Sequence, residues 1–204
     1  MVLSRLLDAL FPPRCVACAS PGCWWCTGCD RKLLPPPDGP TPGLDRLLAA
    51  AAHRDPVTHL VKSLKYRHAK AVVPAITARL APLAADVARE RPLLVPVPLH
   101  SRRLRERGHN QSALIAEAVS EATGLPLSDA LARRRYTRTQ TGLGRADRHR
   151  NVDGAFEWTG AALGAQPVLL VDDVYTTGAT LAACAEACRA SGVKHVYGLT
   201  VGRR

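Results

Sequence analysis

Apolar residues fall into two rhythms along this chain. From Pro56 to Ala88 they recur at helical spacing, interrupted at Pro74 and Pro82. Leu93–Pro98, LLVPVP, is a short continuous apolar run that reads as a buried strand. Asn110–Ala122 returns to the helical period, with Leu114, Ile115, Ala118 and Val119 as its apolar positions. Val168–Asp172 is a second buried strand, Thr177–Ser191 a helix, and His195–Val201 a final strand. Strands that alternate with helices predict a mostly parallel sheet covered on both faces, an α/β fold.

The segment Leu34–Gly43, LPPPDGPTPG, holds five prolines and two glycines. Proline lacks the amide donor that a helix or a central strand requires, so this stretch reads as a linker. It divides the chain into a module at 1–34, a linker at 35–43 and an α/β domain at 44–204. The hydrophobic share of 47% suffices for a sizeable core, and with aromatics at 4% that core is filled by Ala, Leu and Val. No apolar run reaches the ~18 residues of a membrane span. The opening MVLSRLLDALFPP is too short and interrupted for a secretory signal. The expectation is a soluble, cytoplasmic protein.

Five of the seven cysteines fall in CVACASPGCWWCTGC. Cys15 with Cys18, and Cys26 with Cys29, make two CxxC pairs whose thiolates can close a tetrahedral site on zinc. Cys23 is a fifth candidate with the same spacing to Cys26, and is taken as the spare because the outer pairs give two clean knuckles. Disulfides are disfavoured in a reducing cytoplasm. Cys184 and Cys188, four apart on an Ala-rich helix, read as small core residues.

The net charge of +11 points to acidic partners such as phosphates or nucleic acid. Ser101–Asn110 carries four arginines against one acid, and Arg133–Arg150 seven against one, so most of the excess lies in two stretches. Lys62, Lys65 and Arg67 form a third basic group with no assigned role. The densest chemistry is VLLVDDVYTTGAT, Val168–Thr180. Two carboxylates, Asp172 and Asp173, end a strand, where open α/β sheets bind ligands. The following turn supplies Thr176, Thr177 and Thr180 hydroxyls, a glycine at 178 and the amide groups of a helix start, which together suit a phosphate. The acids fit a ligand that also presents sugar hydroxyls, a metal ion or developing positive charge, as a ribose phosphate does.

That stretch resembles the phosphoribosyl pyrophosphate (PRPP) motif of type I phosphoribosyltransferases. From Cys15 onward the chain is similar to the ComF family of bacterial competence-related proteins, also called the amidophosphoribosyltransferase-like or GntX-like group. The likeness includes the CxxC pairs, LVKSLKYR at Leu60–Arg67, VPVPLHSRRLRERGHNQ at Val95–Gln111 and RTQTGLGRADRHRNVDGAF at Arg138–Phe156, in the family's order. Cys23 is extra, and Ser101 and His109 stand where many members have proline and an aromatic residue.

The resemblance implies a type I phosphoribosyltransferase fold with a small N-terminal module holding a structural zinc. It implies PRPP, with Mg2+, bound by Tyr175, Thr176, Thr177, Gly178, Ala179 and Thr180, and Asp172 and Asp173 as catalytic residues. Arg102, Arg103, Arg105 and Arg107 would belong to a pyrophosphate loop. Arg138, Gln140, Thr141 and Arg145 would belong to a mobile loop that closes over the ligand. Two functions follow: phosphoribosyl transfer to an acceptor the sequence does not name, or a non-catalytic adaptor in DNA uptake during natural transformation. The adaptor would contact helicase and recombination proteins and single-stranded DNA, for which Trp24 and Trp25 are the aromatics near the cysteines.

Overall fold

The computed structural model describes residues 12–66, 69–135, 154–161 and 163–204. In chain order the described elements are α1 (Thr27–Asp30), β1 (Arg46–Ala52), α2 (Val57–Leu64), α3 (Ala69–Ala85), β2 (Leu93–Pro96), α4 (Ser101–Arg107), α5 (Gln111–Thr123), β3 (Leu131–Arg133), β4 (Phe156–Trp158), β5 (Val168–Tyr175), α6 (Ala179–Ala190) and β6 (Val196–Arg203). Four strands form one parallel sheet in the order β1-β6-β5-β2, and β3 pairs antiparallel with β4 in a separate ribbon. The expected α/β class, a parallel sheet flanked by helices, is the one observed.

Alternation along β5 fills both faces. Leu169 and Val171 join a core built with α2, α3 and α5, while Val168 and Leu170 join a second core under α6. Cys184 and Cys188 are fully buried in that second core, as expected of small core residues. Because all four strands are parallel, their carboxyl ends share one rim. Ala52 and His53, Pro96, Tyr175 and Arg203 stand along it.

Several elements differ from the sequence expectation. β1 is Ala-rich, and alanine is the best helix former, yet pairing with β6 over Arg46–Ala52 makes it a strand. β5 continues past Asp172 to Tyr175 because β6 runs beside it, with Asp172 opposite Thr200 and Tyr175 opposite Arg203. α6 begins at Ala179 rather than Thr177, since Gly178 adopts a left-handed φ of 80°. Pro74 and Pro82 lie inside α3 on exposed positions, where water can serve the carbonyls left without a donor. Among the described residues no helix is long and apolar enough to cross a membrane.

Candidate functional site

Asp172 and Asp173 face the first turn of α5. Ser112 Oγ donates to Asp172 Oδ1 at 3.0 Å, and the Asp173 amide donates to the same oxygen at 2.8 Å. Gln111 Nε2 lies 3.5 Å from Asp173 Oδ2, and Lys65 Nζ pairs with that oxygen at 2.9 Å. α5 starts here because Asn110 is its N-cap: its side-chain oxygen accepts from the Ser112 amide, while its amide donates to Val97 O at 3.1 Å. His109 Nε2 lies 2.8 Å from Leu64 O, which fastens the approach to α5 onto the end of α2, beside Lys65. Burial and then the neighbouring Asp173 charge push the Asp172 carboxyl up to about 7, against the lowering pull of the Asp173 amide, Ser112 and Lys65. Asp172 is therefore poised between its neutral and ionised forms near neutral pH.

The turn that follows is shaped by Tyr175. Its ring is buried, its hydroxyl donates to Pro40 O at 3.2 Å, and the Arg203 guanidinium stacks 5.5 Å from its centroid. Only its backbone is thus placed to meet a ligand. A Cβ on Gly178 would sit 2.3 Å from the Tyr175 hydroxyl, so glycine is required by space as well as by φ. Gly178 caps α6 without a side-chain bond, and the helix start offers its first amide groups outward, as helix starts do. Thr176, Thr177 and Thr180 are half-buried around it, with Thr177 Oγ1 3.5 Å from the Ala179 amide.

The expected pyrophosphate loop is a two-turn helix, α4, capped by His100 Nδ1 at one end and by Gly108 at φ 75° at the other. Its arginines are not equivalent. Arg102 pairs with Glu106 at 3.1 Å, and Arg107 donates to Gln111 Oε1 at 3.0 Å, while Arg105 is exposed. Arg103 is half-buried, and its Nη2 has no hydrogen-bond partner among the described residues. Arg133, on β3, lies over the Phe156 ring and within electrostatic reach of Arg103 and Asp172; burial and then the Arg103 charge lower its pKa. Two guanidiniums brought together against their own repulsion suit an anion. Arg138, Gln140, Thr141 and Arg145 lie outside the described residues, as does all of the basic stretch Arg133–Arg150 beyond residue 135.

Cys15, Cys18, Cys26 and Cys29 place their sulfurs within 4.8 Å of one another. Cys15 and Cys29 are 3.8 Å apart, and Cys18 and Cys26 3.5 Å. A tetrahedron with Zn–S bonds of ~2.3 Å has edges of roughly 3.8 Å. These four thiols therefore could hold a metal such as zinc. Cys23 stands outside the group, as its designation as spare requires. The Ser20 hydroxyl lowers the Cys18 thiol to about 6, favouring the thiolate a metal needs. Trp24, Trp25, Val16 and Leu33 pack against the larger core, and Trp25 Nε1 donates to Asp30, which also pairs with Arg79 of α3. Trp25 is thus linked to α3 through Asp30 and Arg79.

No family model matches the chain. Whole-chain similarity decides its kinship. It is 30% identical over 193 residues to Competence protein F of Haemophilus influenzae, spanning 90% of this chain and 82% of that protein. This chain belongs to the ComF family. A second relative, the DNA utilization protein YhgH of Salmonella typhimurium, is 31% identical over 188 residues, covering 89% of this ComF chain and 80% of YhgH. Competence protein ComFC of Bacillus subtilis matches over 89 residues at 34% identity, 44% of this chain and 35% of that protein.

Sequence reasoning left Lys65 without a role and did not single out Gln111, Ser112, Arg133 or His53. Ser112 had a legible signal. It precedes Ile115, Ala116 and Val119 on the buried stripe of α5, and a hydroxyl on an apolar stripe needs a partner. Arg133 had none, since it opens a run of three arginines that all read alike.

Proposed function

We propose that this ComF chain binds PRPP at the sheet rim and transfers its phosphoribosyl group to an acceptor. The observation that carries this reading is the placement of Asp172 and Asp173 in the carboxyl-terminal half of β5, which runs on through Tyr175 into the turn before the Gly178-capped start of α6. Amide groups of 176–180, with the threonine hydroxyls, would hold the 5-phosphate. Asp172 and Asp173 would accept from ribose hydroxyls and stabilise positive charge growing on the anomeric carbon. Arg103, whose buried Nη2 lacks a partner among the described residues, and Arg133 beside it would receive the pyrophosphate. Mg2+ bound with PRPP would add neutralisation of the leaving pyrophosphate. Zinc is the metal proposed for the four cysteines, in a structural role.

The relatives' names, competence and DNA utilization, support a role in handling imported DNA. The second reading, an adaptor that contacts helicase or recombination proteins or single-stranded DNA, accommodates those names without catalysis. Trp24 and Trp25 are partly buried against the core, which leaves only part of each ring for a base to stack on. Calorimetry of PRPP with Mg2+ and an assay of pyrophosphate release separate the readings. Binding with acceptor-dependent release is expected; no PRPP binding would discard the ligand, and binding without release from any acceptor would leave the adaptor.

A further inference from the structure

A ribose presents two neighbouring hydroxyls, each with one proton to donate, so a site that reads the sugar needs two acceptor oxygens. The start of α5 decides which oxygens of Asp172 and Asp173 are left for that purpose. Its first two residues, Gln111 and Ser112, are buried, and each sends its side chain to one acid. Ser112 Oγ and the Asp173 amide both donate to Asp172 Oδ1, at 3.0 and 2.8 Å. Gln111 Nε2 and Lys65 Nζ both address Asp173 Oδ2, and Arg107 orients Gln111 by donating to its Oε1. Each carboxyl is thus held by one oxygen. Asp172 Oδ2 and Asp173 Oδ1 have no hydrogen-bond partner among the described residues, and neither is sealed in the interior. The two holds differ in kind. Asp173 is held by a cation, whereas Asp172 is held by neutral donors, of which Ser112 is the only side chain. The other charged or titratable groups that Asp172 faces are Asp173 on its own strand, Lys65 beyond α2, Arg133 on β3 and Cys184 on α6.

We propose that Ser112 is the positioning residue of the acid pair: its hydroxyl fixes Asp172 so that Oδ2, together with Asp173 Oδ1, takes the two vicinal hydroxyls of a ribose 5-phosphate, and it thereby sets a choice of ribose over 2-deoxyribose. The inference rests on the PRPP reading. Ser112 acts on Asp172 in two ways. It holds Oδ1, so the carboxyl cannot turn, and it favours the ionised form, which is the form that accepts from ligand hydroxyls. Without that hydroxyl the Asp173 amide is the sole donor left on Oδ1, and Asp172 is harder to ionise beside the Asp173 charge. The 5′-phosphate end of a DNA strand lacks the 2-hydroxyl and leaves one oxygen of the pair unfilled, so the site favours ribose phosphates over DNA ends.

The test compares ribose 5-phosphate with 2-deoxyribose 5-phosphate by calorimetry on the full chain from pH 6 to 8.5, in the wild type and in Ser112→Ala. Alanine suits a helix, so the variant keeps α5. Both ligands carry the same phosphate, whose own ionisation cancels in the ratio of their affinities. At pH 8.5 the wild type should prefer ribose 5-phosphate by at least about tenfold, the least that a hydrogen bond to a charged group is worth. That preference should fade as pH drops, with a midpoint near the Asp172 value of about 7. In Ser112→Ala it should fall severalfold at pH 7 and return at higher pH, the midpoint having moved up by at least about half a pH unit. A merely structural role for Ser112 would weaken both ligands alike and leave the midpoint in place, and that result overturns the proposal. So does an unchanged preference in Ser112→Ala, or a wild type that binds the two sugars equally; in each of these cases the PRPP reading stands. If neither sugar phosphate binds the wild type, both fall.

Discussion

Replacing Asp172 by Asn should make the ligand-free fold more stable, increasingly so as pH rises. The carboxyl is raised from 3.8 to about 7 by burial and by Asp173. An acid whose pKa is higher in the folded state binds its proton more tightly there, so ionisation opposes folding. The penalty is absent below about pH 4, grows between about 4 and 7, and is complete above 7. Its full size, at ~1.4 kcal/mol per pH unit, is ~4 kcal/mol. Acid below pH 6 would also protonate the cysteine thiolates, so the useful window is about pH 6 to 8.5. Across it the titration leaves a further ~1.4 kcal/mol to be lost by the wild type and not by Asp172→Asn. Asn keeps an oxygen for the Ser112 hydroxyl and the Asp173 amide. Urea unfolding at several pH values, followed by tryptophan fluorescence, reads the difference. Parallel stability curves for the two proteins across that window would refute an elevated Asp172 pKa. If the proposed phosphoribosyl transfer holds, the same variant should abolish it, because the charge that costs stability is the one the transition state would use.

Gly178→Ala should destabilise the fold by at least ~1–2 kcal/mol, from left-handed φ alone, and also weaken ribose 5-phosphate binding; thermal melts and calorimetry check the two effects. Lys65→Met leaves the buried Asp173 carboxylate unpaired and should cost ~3 kcal/mol, with much of the loss recovered in the Lys65→Met/Asp173→Asn double variant, as a double-mutant cycle by urea unfolding would show. Metal analysis should find about one zinc per chain in the wild type and in Cys23→Ser, and little in Cys26→Ser, because the four-thiolate site excludes Cys23.

The parallel sheet and the pairing of acids with a glycine turn were legible because each rests on local signals: continuous apolar runs, a strand end, a helix cap. β1 was not, since RLLAAAA favours a helix until β6 supplies its ladder bonds. α4 was missed because arginine and leucine in a short basic stretch carry no period long enough to read. The grouping of the four cysteines was legible from spacing alone. The partners of Asp172 and Asp173 were not, for Lys65 and Ser112 lie 108 and 60 residues away in sequence and meet the acids only through packing. Tyr175 lies inside the motif, and its buried ring leaves its backbone as the part that a ligand at that turn would meet.

The proline-rich segment between the cysteine module and the sheet is more than a tether. Pro40 receives the Tyr175 hydroxyl, Gly39 the Arg203 guanidinium and Gly43 the Arg189 guanidinium, while Gly43 packs so closely on Ala182 that a Cβ would lie 2.9 Å from its Cα. It is laced to β5, β6 and α6 at the turn where phosphate is proposed to bind. Cutting the chain at residue 44 would therefore strip acceptors from two side chains at that turn and remove the packing of Trp24 and Trp25 against the larger core. A truncated protein that failed to bind PRPP would report a damaged interior, and would say nothing about whether the cysteine module touches the ligand. Point changes at Arg79 or Cys26 are the cleaner way to ask what that module contributes, because they leave the lacing in place.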